Sequence, residues 1–279
     1  MSSEISFIPG SKWLSYKIYC GPGYSNTLLI QTLTPFVNAF LDNKKVLHWF
    51  FIRYNDPDHH IRFRMFCKDA ASISDVFMSF ESAIQPLARL GYVSDVQLVM
   101  YKRELARYGS KNLDHIERFW SKESSLLINL LTETKTTQDY LCEILFLAHG
   151  YLKAFSKNDN QLLAYANQSY NAFSAEFELQ KKQKKQLSEK YRIIKSKLST
   201  ILTADMTSSK VAEVFNVHFL ELKKCNTALS LKKTPNVWSS IVHMLVNRAF
   251  EKSQREMELI IYHHLSTYYR TQISRFGKI

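Results

Sequence analysis

Val46 to Phe66 reads VLHWFFIRYNDPDHHIRFRMF, and how this stretch divides decides the fold. Val46 to Tyr54 is aromatic and apolar enough for a central strand. Asn55 to Asp58, NDPD, has a turn residue at every position. His60 to Phe66 alternates again, so the two runs form a hairpin. Upstream, Trp13 to Cys20 (WLSYKIYC) alternates as a strand and CGPG breaks it. Ser25 to Leu41 carries Leu28, Leu29, Leu33, Phe36, Val37 and Phe40 at helical spacing, with Ser25 placed to cap it. Downstream, Ile73 to Leu90 reads as a helix ended by Gly91, and Val93 to Arg103 as a fourth strand. The order β-α-β-β-α-β predicts a ferredoxin-like split βαβ: a four-stranded antiparallel sheet with two helices on one face.

From Leu113 onward the pattern is helical, with candidate helices at 113–132, 136–155, 160–198, 207–225 and 235–273. Ala204 to Ser209 reads as a break and Leu229 to Thr234 as a linker. Thr234-Pro235 starts the last helix with proline at its first position. The fold class is therefore α+β. A sheet half, 1–112, carries the arginine strand. A mostly helical half, 113–279, is expected to pack on the open sheet face and share one core with it.

Composition limits the function classes. Of 279 residues, 46% are hydrophobic, which supports a large core. Only 7 glycines and 6 prolines argue for long helices rather than a turn-rich sandwich. No apolar run reaches the length of a membrane span, and MSSEISFIPGSKW lacks the pattern of a secretory signal. Cys20, Cys67, Cys142 and Cys225 stand singly, with no C-x-x-C pair, which fits a reducing cytoplasm and speaks against a metal site. The net charge of +12 suggests an acidic partner, but much of it lies between Lys181 and Lys197 in a helical pattern, where a solvated face accounts for it. That basic run lacks interleaved aromatics apart from Tyr191, so no direct nucleic-acid contact is expected.

The chemistry concentrates in Arg53 to Arg64, RYNDPDHHIRFR, read as part of a pocket for an anionic group. Alternate strand residues share a face, so His60, Arg62, Arg64 and Phe66 lie opposite Ile61, Phe63 and Met65. Two arginines two apart sit roughly 7 Å from each other, which suits a small dicarboxylate or two neighbouring anions. The ordinary structural reading is a solvent-facing strand. In MYKRELARYG, Glu104 and Arg107 are three apart and would meet on a helical turn, as a local ion pair or as a glutamate orienting an arginine. In IVHMLVNRAF, His243 and Asn247 share a helix face, and His243 is either a satisfied core group or an acid or base near neutral pH. No H-E-x-x-H, P-loop, G-x-G-x-x-G or G-x-S-x-G occurs, so zinc, nucleotide, flavin and serine-hydrolase chemistry lack support.

Taken together, WLSYKIYCG, FFIRYNDPDHHIRFR, YKRELARYG, ERFWSKES and VHMLVNRAF, in this order, resemble the C-terminal glutamate-elimination domain of class I lantibiotic dehydratases. The same domain stands alone in thiopeptide-type bacteriocin biosynthesis. The resemblance runs from about Trp13 to Tyr269, and RY-x-DP-x-x-H-I-R-x-R is its most specific part. It implies β-elimination of glutamate from glutamylated Ser and Thr side chains of a ribosomal precursor peptide, giving dehydroalanine or dehydrobutyrine. It implies His243, Arg64 and Arg107 as catalytic residues, and Arg62, Glu104, Arg53 and His60 as substrate-binding ones. No cofactor and no metal are implied. Two departures occur: Ser110 stands where the family often has glycine, and Glu123-Ser124 where it often has Asp-Ser.

The chain is too short to contain a glutamylating domain, so the expectation is a split dehydratase served by a glutamylating partner protein. A cyclase and a homodimer are further expected partners; a membrane span is not. Two rivals remain. One is the pyridine-forming [4+2] cycloaddition of thiopeptide pathways, on the same fold. The other is a non-catalytic module that docks a precursor peptide or scaffolds a complex.

Overall fold

The computed structural model describes residues 5–109, 113–156, 158–203 and 235–276. The chain divides into two compact units, one ending at Thr132 and the other starting at Glu133.

The first unit is built on the predicted sheet. Its strands are β1 (Ser6–Phe7), β2 (Trp13–Cys20), β3 (Val46–Tyr54), β4 (His60–Cys67), β5 (Val93–Leu98) and β6 (Tyr101–Lys102). Its helices are α1 (Ser25–Leu28), α2 (Thr34–Asp42), α3 (Ala70–Arg89), α4 (Leu105–Tyr108) and α5 (Leu113–Glu133), with a π-helical turn, Leu29–Leu33, joining α1 to α2. The four long strands run β3-β4-β2-β5, all antiparallel, which is the ferredoxin-like order. The expected fourth strand stops at Leu98. Tyr101–Lys102 then pairs with Ser6–Phe7 in a separate two-stranded ladder.

Register assigns the faces. Met65 pairs with Leu14 and Trp49, and Phe63 with Tyr16 and Phe51. These residues join Leu29, Leu33, Val37, Val76 and Ile84 in a core between sheet and helices. Tyr16 stacks on Phe80 of α3 with centroids 4.0 Å apart. α3 starts where Asp69 accepts from the Ser72 amide at 2.9 Å, and it ends before Gly91, which takes φ +75°. The opposite face carries Trp13, His48, Phe50, Phe66 and Tyr101, with Trp13 at the centre of the cluster.

α5 straddles the β3 edge. Trp120 packs on Phe50 on one face, and Ile128 enters the helix-side core on the other. Between them the Ser121 hydroxyl accepts from the Trp49 amide at 3.1 Å, and the Ser124 hydroxyl from the Phe51 amide at 3.4 Å. Hydroxyls therefore satisfy edge amides that would otherwise be open to another strand.

The second unit is helical: α6 (Thr137–Phe155), α7 (Asp159–Glu176), α8 (Lys181–Thr203), α9 (Pro235–Ala249) and α10 (Gln254–Phe276). α9 starts at Pro235, as expected. Two expected single helices are each two. The 160–198 run breaks around Glu178 at φ +48°, and the 235–273 run breaks at Ser253 at φ +54°. α10 is the unit's central element: Tyr262 packs on Phe173 of α7, His264 on Tyr191 of α8, and Tyr269 on His149 of α6. The lysines of α8 are exposed apart from the half-buried Lys195, while Leu187, Tyr191, Ile194 and Leu198 turn inward at helical spacing. The basic run is a solvated face. Among the described residues no helix is long and apolar enough to cross a membrane. Cys20, Cys67 and Cys142 are buried, and none of them is in a disulfide among the described residues. The expected helix 207–225, the break at 204–209, the linker at 229–234, Cys225 and Ser110 lie outside the described residues.

Candidate functional site

The alternation of β4 puts His60, Arg62 and Arg64 on the face away from α2 and α3. Tyr54 and Tyr19 flank His60, with centroids 5.5 and 4.8 Å away. Its Nδ1 lies 2.9 Å from the Asp58 carbonyl, and Arg62 Nε donates to its Nε2 at 3.3 Å. Burial lowers the basicity of His60, and the nearby Arg62 and Lys17 charges add to that. A neutral ring with its proton on Nδ1 satisfies both bonds. The Arg62 guanidinium carbon stands 3.5 Å over the Tyr54 ring.

Arg64 is the most constrained cation of the group. It is 9% exposed, and its guanidinium lies 4.3 Å over the Tyr101 ring and 5.4 Å from the Phe50 ring. Its buried Nε has no hydrogen-bond partner, and no carboxylate pairs with it among the described residues. Burial pulls its pKa below the usual arginine value, while Tyr101 and the Glu104 carboxylate act in the other direction. A buried cation without a counter-charge is costly unless something else supplies the anion.

The Tyr101 platform is fixed from behind. Its hydroxyl donates to Glu117 Oε1 at 2.7 Å, and Arg103 grips both oxygens of Glu117 at 2.8 and 2.5 Å. Asp114 adds a second contact to Arg103 at 2.8 Å. Burial pushes the Glu117 carboxyl up against the pull of Arg103 and Tyr101. The predicted ion pair of Glu104 and Arg107 forms at 3.1 Å on α4, half exposed.

Arg53 is a correction. It pairs in register with Ile61, so it points to the helix-covered face, away from Arg62 and Arg64. There it donates to Ser25 Oγ, and to Asn26 Oδ1 at 2.6 Å, tying β3 to α1. Ser25 is corrected with it: Tyr24 holds the N-cap position, and the Ser25 hydroxyl serves Arg53 and the Pro22 carbonyl. A residue missed from the sequence is Lys17, which stands directly opposite Arg62 on the same face. Its signal was the alternation Trp13, Ser15, Lys17.

In the second unit, His243 and Asn247 are half-buried positions on a largely buried stretch of α9. His243 Nδ1 lies 2.8 Å from Glu258 Oε1 of α10. Glu258 is buried and was not singled out from the sequence. A carboxylate that holds Nδ1–H leaves Nε2 as the proton-accepting atom. The chemistry on offer is thus an anion seat of stacked arginines in one unit and a carboxylate-held imidazole in the other.

Residues 13–269, a span that includes every one of these groups, match the family described as lantibiotic biosynthesis dehydratase C-term. The chain belongs to this family. Within the dehydratase family it is similar to nisin biosynthesis protein NisB of Lactococcus lactis subsp. lactis, at 28% identity over 274 residues, covering 92% of this chain and 25% of NisB. Its fold is similar to the tRNA-dependent lantibiotic dehydratase MibB of Microbispora sp. 107891, with TM-score 0.71 and 16% identity over 95% of this chain and 29% of MibB. It is also similar in fold to the pyridine synthase TbtD from thiomuracin biosynthesis, with TM-score 0.61 and 13% identity over 94% of this chain and 99% of TbtD. This dehydratase-family chain therefore spans about a quarter of NisB and under a third of MibB, and nearly the whole of TbtD.

Proposed function

We propose that this chain is a lyase that eliminates glutamate from glutamylated Ser and Thr residues of a ribosomal precursor peptide, leaving dehydroalanine or dehydrobutyrine. The observation that carries the reading is Arg64, a buried guanidinium on an aromatic platform with no carboxylate partner among the described residues. A leaving glutamate carries the missing negative charge. Arg62 and Lys17 on the same face extend the seat, and the Glu104–Arg107 pair offers a further cation. His243 takes the weakly acidic α-proton. The Cα–H electron pair becomes the Cα=Cβ bond, and the Cβ–O bond breaks to release glutamate as a carboxylate. Charge developing on the peptide carbonyl is met by fixed donors. The step needs no cofactor. A glutamylating partner protein supplies the ester, and a cytoplasmic setting suits both partners.

The test is to give the purified protein a peptide carrying a glutamyl ester on serine and to follow its mass. Release of glutamate with formation of the alkene is expected, and glutamylated peptide should persist with Arg64→Ala or His243→Ala. An inert ester together with cyclisation of a peptide holding two dehydroalanines would replace elimination with the pyridine-forming reading, on which the likeness to TbtD bears. Unchanged pathway output from both variants would leave only a docking module.

A further inference from the structure

We infer that Glu258 is the positioning residue that makes His243 a base: it holds the neutral imidazole in the Nδ1–H form and leaves the Nε2 lone pair for the substrate. The inference rests on the elimination reading for its chemistry, but its geometry is independent of the substrate.

Glu258 is 3% exposed, on a helix whose neighbouring residues Leu259, Ile261 and Tyr262 are buried as well. A carboxylate in such a place needs compensation. Two basic side chains are near it. Arg255 Nη1 is 3.6 Å away, but the Arg255 guanidinium is already engaged by Glu176 at 2.5 and 3.2 Å and lies 4.4 Å over the Phe173 ring. His243 is the short contact, at 2.8 Å. Two phenols, Tyr165 and Tyr262, whose hydroxyls are 3.3 Å apart, are also close enough to Glu258 to feel its charge. Glu258 is therefore turned towards the imidazole more closely than towards its guanidinium neighbour.

The chain break between α9 and α10 makes this contact. His243 and Glu258 are fifteen residues apart, and the reversal around Ser253, at φ +54°, brings one helix back along the other. His243 keeps 39% of its side chain exposed while Glu258 keeps 4%. The imidazole thus meets the carboxylate with its inner nitrogen and solvent or substrate with its outer one. During elimination the α-proton moves to Nε2, and the Nδ1–H bond to Glu258 stabilises the imidazolium so formed. Without the carboxylate the ring is free to carry its proton on Nε2, where it cannot act as a base.

The experiment is nitrogen NMR on the full chain with labelled histidine, comparing the wild type with Glu258→Gln, Glu258→Ala and Glu258→Asp. In the wild type the neutral His243 ring should show a protonated Nδ1 and a bare Nε2. Glu258→Ala should move the proton towards Nε2, and Glu258→Asp should restore part of the original pattern. With the glutamyl-ester peptide, kcat for glutamate release should fall about 10- to 100-fold in Glu258→Ala with little change in KM. An Nε2–H ring in the wild type would overturn the inference, as would an unchanged ring in Glu258→Ala. If the ring behaves as expected but the wild type releases no glutamate from the ester peptide, positioning by Glu258 stands and the elimination reading fails; release of glutamate by His243→Ala would instead overturn the role of His243 as the base.

Discussion

The Arg64 guanidinium lies 4.3 Å above the ring of Tyr101, and Glu117 holds that ring from behind through a 2.7 Å hydrogen bond from the phenol. The negative charge of Glu117 is matched by Arg103 rather than by Arg64. The Arg64 cation is thus carried on a π-face while the nearby acid is spent on another partner. A π-face steadies a guanidinium without neutralising it, which leaves its charge available to a bound anion.

Arg64→Met should separate binding from stability. The substitution removes a buried cation that has no carboxylate partner and keeps most of its apolar stem, so the folded state should gain about 1 kcal/mol. Glutamate release should be lost in the same protein. Arg64→Lys should also be defective, because an ammonium lacks the planar fork and the stacking surface. Urea unfolding and the mass assay on the glutamyl ester check both halves. A destabilised and fully active Arg64→Met protein would contradict the assignment.

Much of this was legible in the sequence for physical reasons that can be named. Strand periodicity alone puts Arg62 and Arg64 on one face. The same periodicity, counted through β3, puts Arg53 with Phe51 on the other, where it serves Ser25 and Asn26. The breaks at Glu178 and Ser253 were not legible, because both residues adopt positive φ without the glycine that usually marks such a turn. Glu258 was hidden for a related reason: its partner is set by the chain reversal, which no local spacing encodes. Ser25 looked like a cap because serine usually is one, but a tertiary contact to Arg53 claims its hydroxyl.

Ser121→Ala tests the closure of the sheet edge. The Trp49 amide donates to the Ser121 hydroxyl at 3.1 Å, and removal of that acceptor leaves an edge N–H without its partner. The expected cost is about 1 kcal/mol. Ser125→Ala is the control, since the Ser125 hydroxyl bonds only its own helix, at the Ser121 carbonyl 3.3 Å away. It should be close to neutral. Urea midpoints followed by tryptophan fluorescence report mainly on the first unit, where Trp13, Trp49 and Trp120 of the chain's four tryptophans lie. Equal midpoints for the two variants would mean that α5 does not secure β3 through this hydroxyl.

The helical unit should weaken in mild acid. Burial, with smaller contributions from nearby positive charges, pushes His149 down to about 4, His263 down to about 4 and His264 down to about 3. An unfolded histidine titrates near 6.5. Between that value and about 4 the unfolded chain binds protons that the folded unit excludes, so stability rises with pH across this window. The contribution is complete above about 6.5 and is lost as the pH falls towards the folded values. Each fully excluded proton is worth about 1.4 kcal/mol per pH unit within the window. His263 and His264 share one close contact, with their Nδ1 atoms 3.0 Å apart, so they exclude protons as a pair. His264→Phe keeps an aromatic ring against Tyr191 and removes one of the excluded protons. Unfolding measured at a series of pH values from 7 to 5 should show a shallower loss of stability for this variant than for the wild type. The same slope in both proteins would mean that His264 takes up its proton in the folded state as readily as in the unfolded one.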